Sequence, residues 1–324
     1  MTIGLFPGQG IPAKTVLDAL APDHSMLRAA SAVCGYDLRR KVEIAARRKG
    51  AMLPTSVAQP AIYVASMIAF RHAEKEGREF DFFVGHSLGE FSALAAGGAF
   101  GFEDGLRCVT ARAEAMQVAS KSAPGGMAVV LRLGLEAAED VARRAGVQIG
   151  NDNAPDQVVL SGSEEGLAEA AALVKAAGGR SVLLEVSGPF HTVAMSSAGP
   201  ILRRALAEID LRGPRIPVVS NVTARPHAGP ETLEELLVQQ LSSRVRFRES
   251  LEWLHDRGER EYVDFGPGRI VAGLAQRTFE QTRDGLGRTA EQTRDGLGRT
   301  AEQTGDGLGR TAEQTQEREV SARV

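Results

Sequence analysis

Cysteine is scarce: a chain of 324 residues holds only Cys34 and Cys108. Two thiols cannot build a disulfide framework, so the sequence points to a reducing, cytoplasmic setting. Neither sits in a metal-type spacing, and both read as small buried hydrophobes. Long apolar runs are missing too, and no window approaches the ~18 uninterrupted apolar residues of a membrane span. The opening "MTIGLFPGQG" has no basic segment ahead of its apolar residues and does not read as a signal peptide. Positive charge is not in excess: 38 Lys and Arg face 41 Asp and Glu, a net charge of −3. Nothing in that balance points to nucleic acid.

What is present is ordinary globular composition, 43% hydrophobic and 24% charged. The length suits two domains, or one large domain carrying an inserted smaller one. Thr2 to Phe6 reads as a strand running into the turn "PGQG", and "FDFFV" before residue 85 as a second, buried strand. "LGEFSALAAGGAF" then starts a helix of small residues suited to packing against a sheet. Strand, tight turn and helix make half of a βαβ unit and predict an α/β fold with a parallel sheet. From "SAPGGM" onward the pattern changes to β-α-β-β-α-β over residues 125–187. That order predicts a ferredoxin-like subdomain inserted into a core made of 1–124 and 188–278. After it, "SGPFHT" reads as the end of a strand, "IPVVSNV" as a strand, and 231–242 and 246–257 as helices. "EQTRDGLGRTA" at 280–290 recurs at 291–301 and, with one change, at 302–312. One leucine and two glycines per copy cannot bury enough surface to offset chain entropy, so 279–324 reads as a disordered tail.

Gly85-His86-Ser87-Leu88-Gly89 fits the G-x-S-x-G turn on which a serine nucleophile is held between strand and helix. A serine hydroxyl needs a base, and there are six histidines. His86 neighbours the nucleophile and should leave the turn on its other side. His72 and His255 lie in polar helical stretches, and His24 and His227 in turn-like segments beside prolines. A solvated or structural role suits each. His191, in "SGPFHT", leads only by elimination.

"FPGQG", "GHSLGEFSAL" at 85–94, "RAEAMQ" at 112–117, "GPFHT" at 188–192, "QQLSSRVRF" at 239–247 and "DFGPG" at 264–268 occur in one order. This succession resembles the malonyl-CoA:acyl carrier protein transacylase family over about residues 1–278. The resemblance implies a hydrolase-like α/β core with the ferredoxin-like subdomain, and the active site between them. It implies Ser87 as acylated nucleophile, His191 as its base, and the Gln9 and Leu88 amides as oxyanion hole. It implies that the Gln240 backbone carbonyl orients the histidine, that Arg112 binds a malonyl carboxylate, and that Phe190 lines a malonyl-type acyl pocket. Read alone, Arg112 is a solvated helix charge, Gln240 a helix-surface amide and Phe190 core filler. Two positions depart from the common pattern: Ile11-Pro12 follows "FPGQG", and Arg244 stands where a proline is usual.

The expected reaction is transfer of malonyl from coenzyme A to the phosphopantetheine thiol of an acyl carrier protein through a Ser87 acyl-enzyme, with no metal or redox cofactor, by a cytoplasmic monomer. Rival readings are an acyl-thioester hydrolase on the same Ser-His pair, transfer of a different acyl group, and a carrier-binding module without activity. No aspartate between Ser87 and His191 is placed to complete a hydrolase triad, and no HGGG-type loop is present. Because carrier proteins are acidic, Arg39-Arg40-Lys41 with Arg47-Arg48-Lys49, and Arg269 with Arg277, are candidate docking charges. A plain solvated helix face suits the first run better.

Overall fold

The computed structural model describes residues 1–21, 24–258 and 260–280. The tail expected to be disordered at 279–324 lies outside these but for Phe279 and Glu280, which are helical, Phe279 stacking on Tyr262 at 4.9 Å. Two sheets organise the chain. The larger is all parallel, with β7 (Val218–Val219), β2 (Phe82–Gly85), β1 (Thr2–Phe6) and β9 (Glu261–Asp264) side by side in that order. Central strands of such a sheet are covered on both faces, which is why "IGLF" and "FFVG" show no polar alternation. Phe6, Phe70, Phe83 and Phe265 form its aromatic heart, with centroids of Phe6 and Phe265 5.1 Å apart and Phe70 edge-on to Phe83 at 5.5 Å. Phe6 pairs with Gly85 across β1 and β2. The loops "PGQG" and "HSLG" therefore leave the sheet side by side at its carboxyl edge, where α/β sheets hold their ligands.

Helices Thr55–Lys75 and Phe102–Ser122 pack on this core. Pro60 sits inside the first and cannot donate to Ser56 one turn earlier. The Tyr36 hydroxyl donates to that Ser56 carbonyl instead, at 3.2 Å.

The smaller sheet runs β6 (Arg180–Leu183), β3 (Gly126–Leu131), β5 (Gln157–Gly162), β4 (Gln148–Ala154) and β8 (Val245–Arg246). The first four pair antiparallel, with β3 between β5 and β6. Side chains alternate along β3 as a pleated strand requires. Ala128 and Val130 face helices Leu135–Ala145 and Glu164–Ala176, whereas Met127 and Val129 join the main core. The small sheet thus turns one face toward the loops after β1 and β2.

Three local readings change. "IPVVSNV" keeps only two residues in the sheet, because the chain turns at Ser220, whose amide donates to Arg225 O at 2.9 Å. β8 joins the small sheet parallel to β4 from outside the 125–187 stretch. "SGPFHT" does not end a strand: β6 stops at Leu183, and the residues beyond cross as a loop to the 3-10 helix Val193–Ala198. No helix among the described residues is long and apolar enough to cross a membrane.

Candidate active site

The turn after β2 is strained where the sequence places its serine. Ser87 has φ +51°, a left-handed conformation that is costly for a side chain with a Cβ and persists only when its surroundings impose it. A Cβ on Gly85 would lie 2.0 Å from the Gly89 carbonyl carbon, and one on Gly89 would lie 2.1 Å from Phe6 O. Both flanking positions are closed to any side chain. Asn221 fixes the bend by accepting from Ser87 N–H at 2.7 Å and donating to Gly85 O at 2.6 Å.

His191, the leader by elimination, lies with Nε2 2.8 Å from Ser87 Oγ. Its backbone is also left-handed, φ +60°. Its Nδ1 lies 2.9 Å from Gln240 O. A carbonyl only accepts, so Nδ1 carries the proton and Nε2 is left with the lone pair that faces the serine hydroxyl. Burial first, and then the neighbouring Arg112 charge, push the imidazole down to about 3. The arrangement is a hydroxyl, a neutral base and an orienting carbonyl, with no aspartate.

Arg112 is only 1% exposed, which removes the reading of a solvated charge. One guanidinium nitrogen donates to Gln59 Oε1 at 2.7 Å. The other donates to Ser87 Oγ at 3.0 Å and Gln240 Oε1 at 2.8 Å. Burial lowers it to about 10, against the opposing pull of Glu90, so it stays cationic at neutral pH. Gln240 is fully buried and is no surface amide. Phe190 is buried, its carbonyl accepts from Ser161 Oγ at 2.7 Å, and it lines a narrow cleft of ≈ 60 Å³ at Ser87 with Met116, Met127 and Leu184.

Gln9 borders the same cleft, and Leu88 is the residue just before helix Gly89–Gly97. Among the described residues neither amide donates to another acceptor. The larger hollow of ≈ 570 Å³ between Leu27 and Glu43 holds no Ser-His pair.

The other histidines go elsewhere. His86 points to the small sheet, with Nε2 2.7 Å from Asn153 Oδ1, and burial lowers its basicity. His24 caps helix Ser25–Cys34, and His255 stacks on Phe279 at 4.9 Å. His72 is exposed beside Glu76, 3.2 Å away. The His227 side chain is buried against Glu90 at 2.8 Å. Arg244 pairs with Glu139 at 2.8 Å and Ile11 is buried, while Arg40 pairs with Glu43 and Lys41 covers the Tyr36 ring.

Gln59, Glu90 and Asn221 escaped the sequence reading. Their one signal is a polar residue amid small or apolar neighbours, as in "SVAQPAIYV" and "GEFSALAA". A buried polar side chain needs a partner, and here the partners are the site.

The acyl transferase domain family matches residues 13–306. The malonyl CoA-acyl carrier protein transacylase of Bacillus subtilis strain 168 is 38% identical over 226 residues, 68% of this chain and 71% of the relative. The polyketide biosynthesis protein ThaF of Burkholderia thailandensis is 37% identical over 286 residues, 86% of this chain. The chain spans 24% of that larger relative's length. A solved complex of a type II polyketide-synthase acyl carrier protein with its malonyl-transacylase superposes with a TM-score of 0.75 at 33% identity, covering 86% of this chain and 92% of that one.

Proposed function

Since this chain belongs to the acyl transferase family and, within it, to the malonyl CoA-acyl carrier protein transacylases, we propose that it carries malonyl from coenzyme A to the phosphopantetheine thiol of an acyl carrier protein. One observation carries the choice of acyl group: the buried Arg112 guanidinium at 3.0 Å from Ser87 Oγ. A planar fork of donors beside the nucleophile suits an acyl chain that ends in a carboxylate. The carrier-protein half is supported by the solved complex of a related transacylase with its carrier.

In the reaction, Nε2 of His191 takes the Ser87 proton as Oγ attacks the thioester carbon. The carbonyl oxygen becomes an oxyanion resting on the Gln9 and Leu88 amides. Each such donor contributes on the order of 10²–10³ in rate. The C–S bond breaks, His191 returns the proton to the departing coenzyme A sulfur, and malonyl remains on Ser87. The carrier's thiol then repeats the sequence in reverse, giving its proton to His191 and taking the acyl group. The narrow, buried cleft limits water, which would hydrolyse the acyl-enzyme. The reading has a monomer working in the cytoplasm, which the two free thiols suit.

Intact-protein mass spectrometry after mixing with malonyl-CoA tests it. The expected result is a malonyl adduct on Ser87 that disappears on adding phosphopantetheinylated carrier protein, with the mass appearing on the carrier. Release of free malonate without carrier loading would favour a hydrolase and end the proposal.

A further inference from the structure

Behind the reacting groups lies a carboxylate that the reaction does not touch. Glu90 belongs to the first turn of helix Gly89–Gly97 and is fully buried. Its Oε2 accepts from Gln240 Nε2 at 2.6 Å and from Asn221 N–H at 3.2 Å. Its Oε1 lies 2.8 Å from His227 Nε2, and the His227 side chain is itself sealed from solvent.

A carboxylate only accepts, which decides the orientation of its neighbours. Gln240 must turn its NH2 toward Glu90, and that leaves its Oε1 facing Arg112, 2.8 Å away. Turned over, the amide would set NH2 against the guanidinium and oxygen against both the Glu90 carboxylate and Ser87 O, which also accepts from Nε2 at 2.9 Å: three repulsive contacts in place of three hydrogen bonds. The same logic puts the proton on His227 Nε2. Its Nδ1 is buried with no hydrogen-bond partner among the described residues, so the ring is spent on Glu90 alone.

We propose that Glu90, steadied by His227, is a positioning residue that fixes the Gln240 amide and through it the Arg112 guanidinium, and so sets the preference for an acyl group bearing a carboxylate. The inference rests on the reading of Arg112 given above. Glu90 and His227 touch no reacting atom. They act at one remove, through the face that Gln240 offers to Arg112.

The test compares kcat/KM for Ser87 loading from malonyl-CoA and acetyl-CoA in the full chain. Glu90→Leu keeps the shape and removes the acceptor, and should lower the malonyl-to-acetyl ratio by about tenfold or more, the scale of a buried charged hydrogen bond. Glu90→Gln can still turn an oxygen toward Gln240 and should restore most of the ratio. Should Glu90→Leu fail to fold, His227→Leu decides: the ratio should fall by about threefold and return with His227→Gln. An equal loss for both acyl groups, or an unchanged ratio in variants that fold, overturns the inference and leaves Glu90 a structural residue. A wild-type enzyme that shows no preference for malonyl would instead defeat the reading of Arg112, which separates the two failures.

Discussion

Arg112 and Ser87 are in direct contact: the guanidinium donates to Ser87 Oγ at 3.0 Å. Before any substrate arrives, one of the cation's donors is already spent on Ser87 Oγ. A malonyl carboxylate can replace Ser87 Oγ as acceptor, whereas an acetyl group offers no exchange.

Arg112→Ala should therefore lose malonyl loading by on the order of 10²-fold while keeping or gaining acetyl loading. Arg112→Lys should not restore malonyl, because a single ammonium cannot reach Gln59, Gln240 and a carboxylate in one plane. Acyl-CoA competition read by mass spectrometry checks both. Unchanged malonyl kinetics in Arg112→Ala would remove the carboxylate clamp.

The His191 imidazole, held down to about 3 by burial and the Arg112 charge, is neutral at pH 5 and above. Loading rates should stay flat as pH is lowered from neutrality to about pH 5, where an ordinary imidazole would have lost most of its base form. An acid limb centred near 6.5 would contradict this. The stability consequence has a definite sign. The unfolded imidazole binds a proton that the folded one refuses, so this contribution is complete above the ordinary imidazole value of 6.5 and is lost as pH falls toward about 3.

Ser87→Ala should fold and bind malonyl-CoA yet form no covalent adduct. His191→Ala should retain the nucleophile and slow loading by about 10²–10⁴, the range of a general base. An adduct on Ser87→Ala at wild-type rate would mean that another side chain is acylated.

Gly89→Ala places a methyl 2.1 Å from Phe6 O, where backbone rather than a flexible side chain must yield. The expected loss is about 3 kcal/mol or more, or failure to fold, read from denaturant midpoints. A variant of wild-type stability would show that β1 and the turn after β2 are farther apart than described.

Much of this was legible in the chain itself. The two-residue spacing of small and bulky residues around Ser87, and the β-α-β-β-α-β order, are local signals, so strand, turn and sheet type could be read directly. The pairing of Ser87 with His191 is not local, since 104 residues separate them. Elimination among six histidines, and the motif order, stood in for the missing distance. Arg112 and Gln240 show the same limit: on a helical wheel they are polar residues like others, and only burial distinguishes them. β8 was invisible because two residues carry no periodicity, and the shortness of β7 because the turn at Ser220 depends on contacts with 225.

The smaller sheet has a reach beyond its own packing. Ser161 of β5 grips the carbonyl of Phe190, next to His191, and β8 begins five residues after Gln240. The imidazole is thus moored to one slab, whereas Ser87 hangs from the other together with Gln240, whose Nε2 donates to Ser87 O at 2.9 Å and to Glu90 Oε2 at 2.6 Å. The 2.8 Å bond between hydroxyl and imidazole spans the seam. Any slip of the slabs past one another would switch the nucleophile off without unfolding either, which makes their alignment as much a part of the chemistry as the side chains themselves.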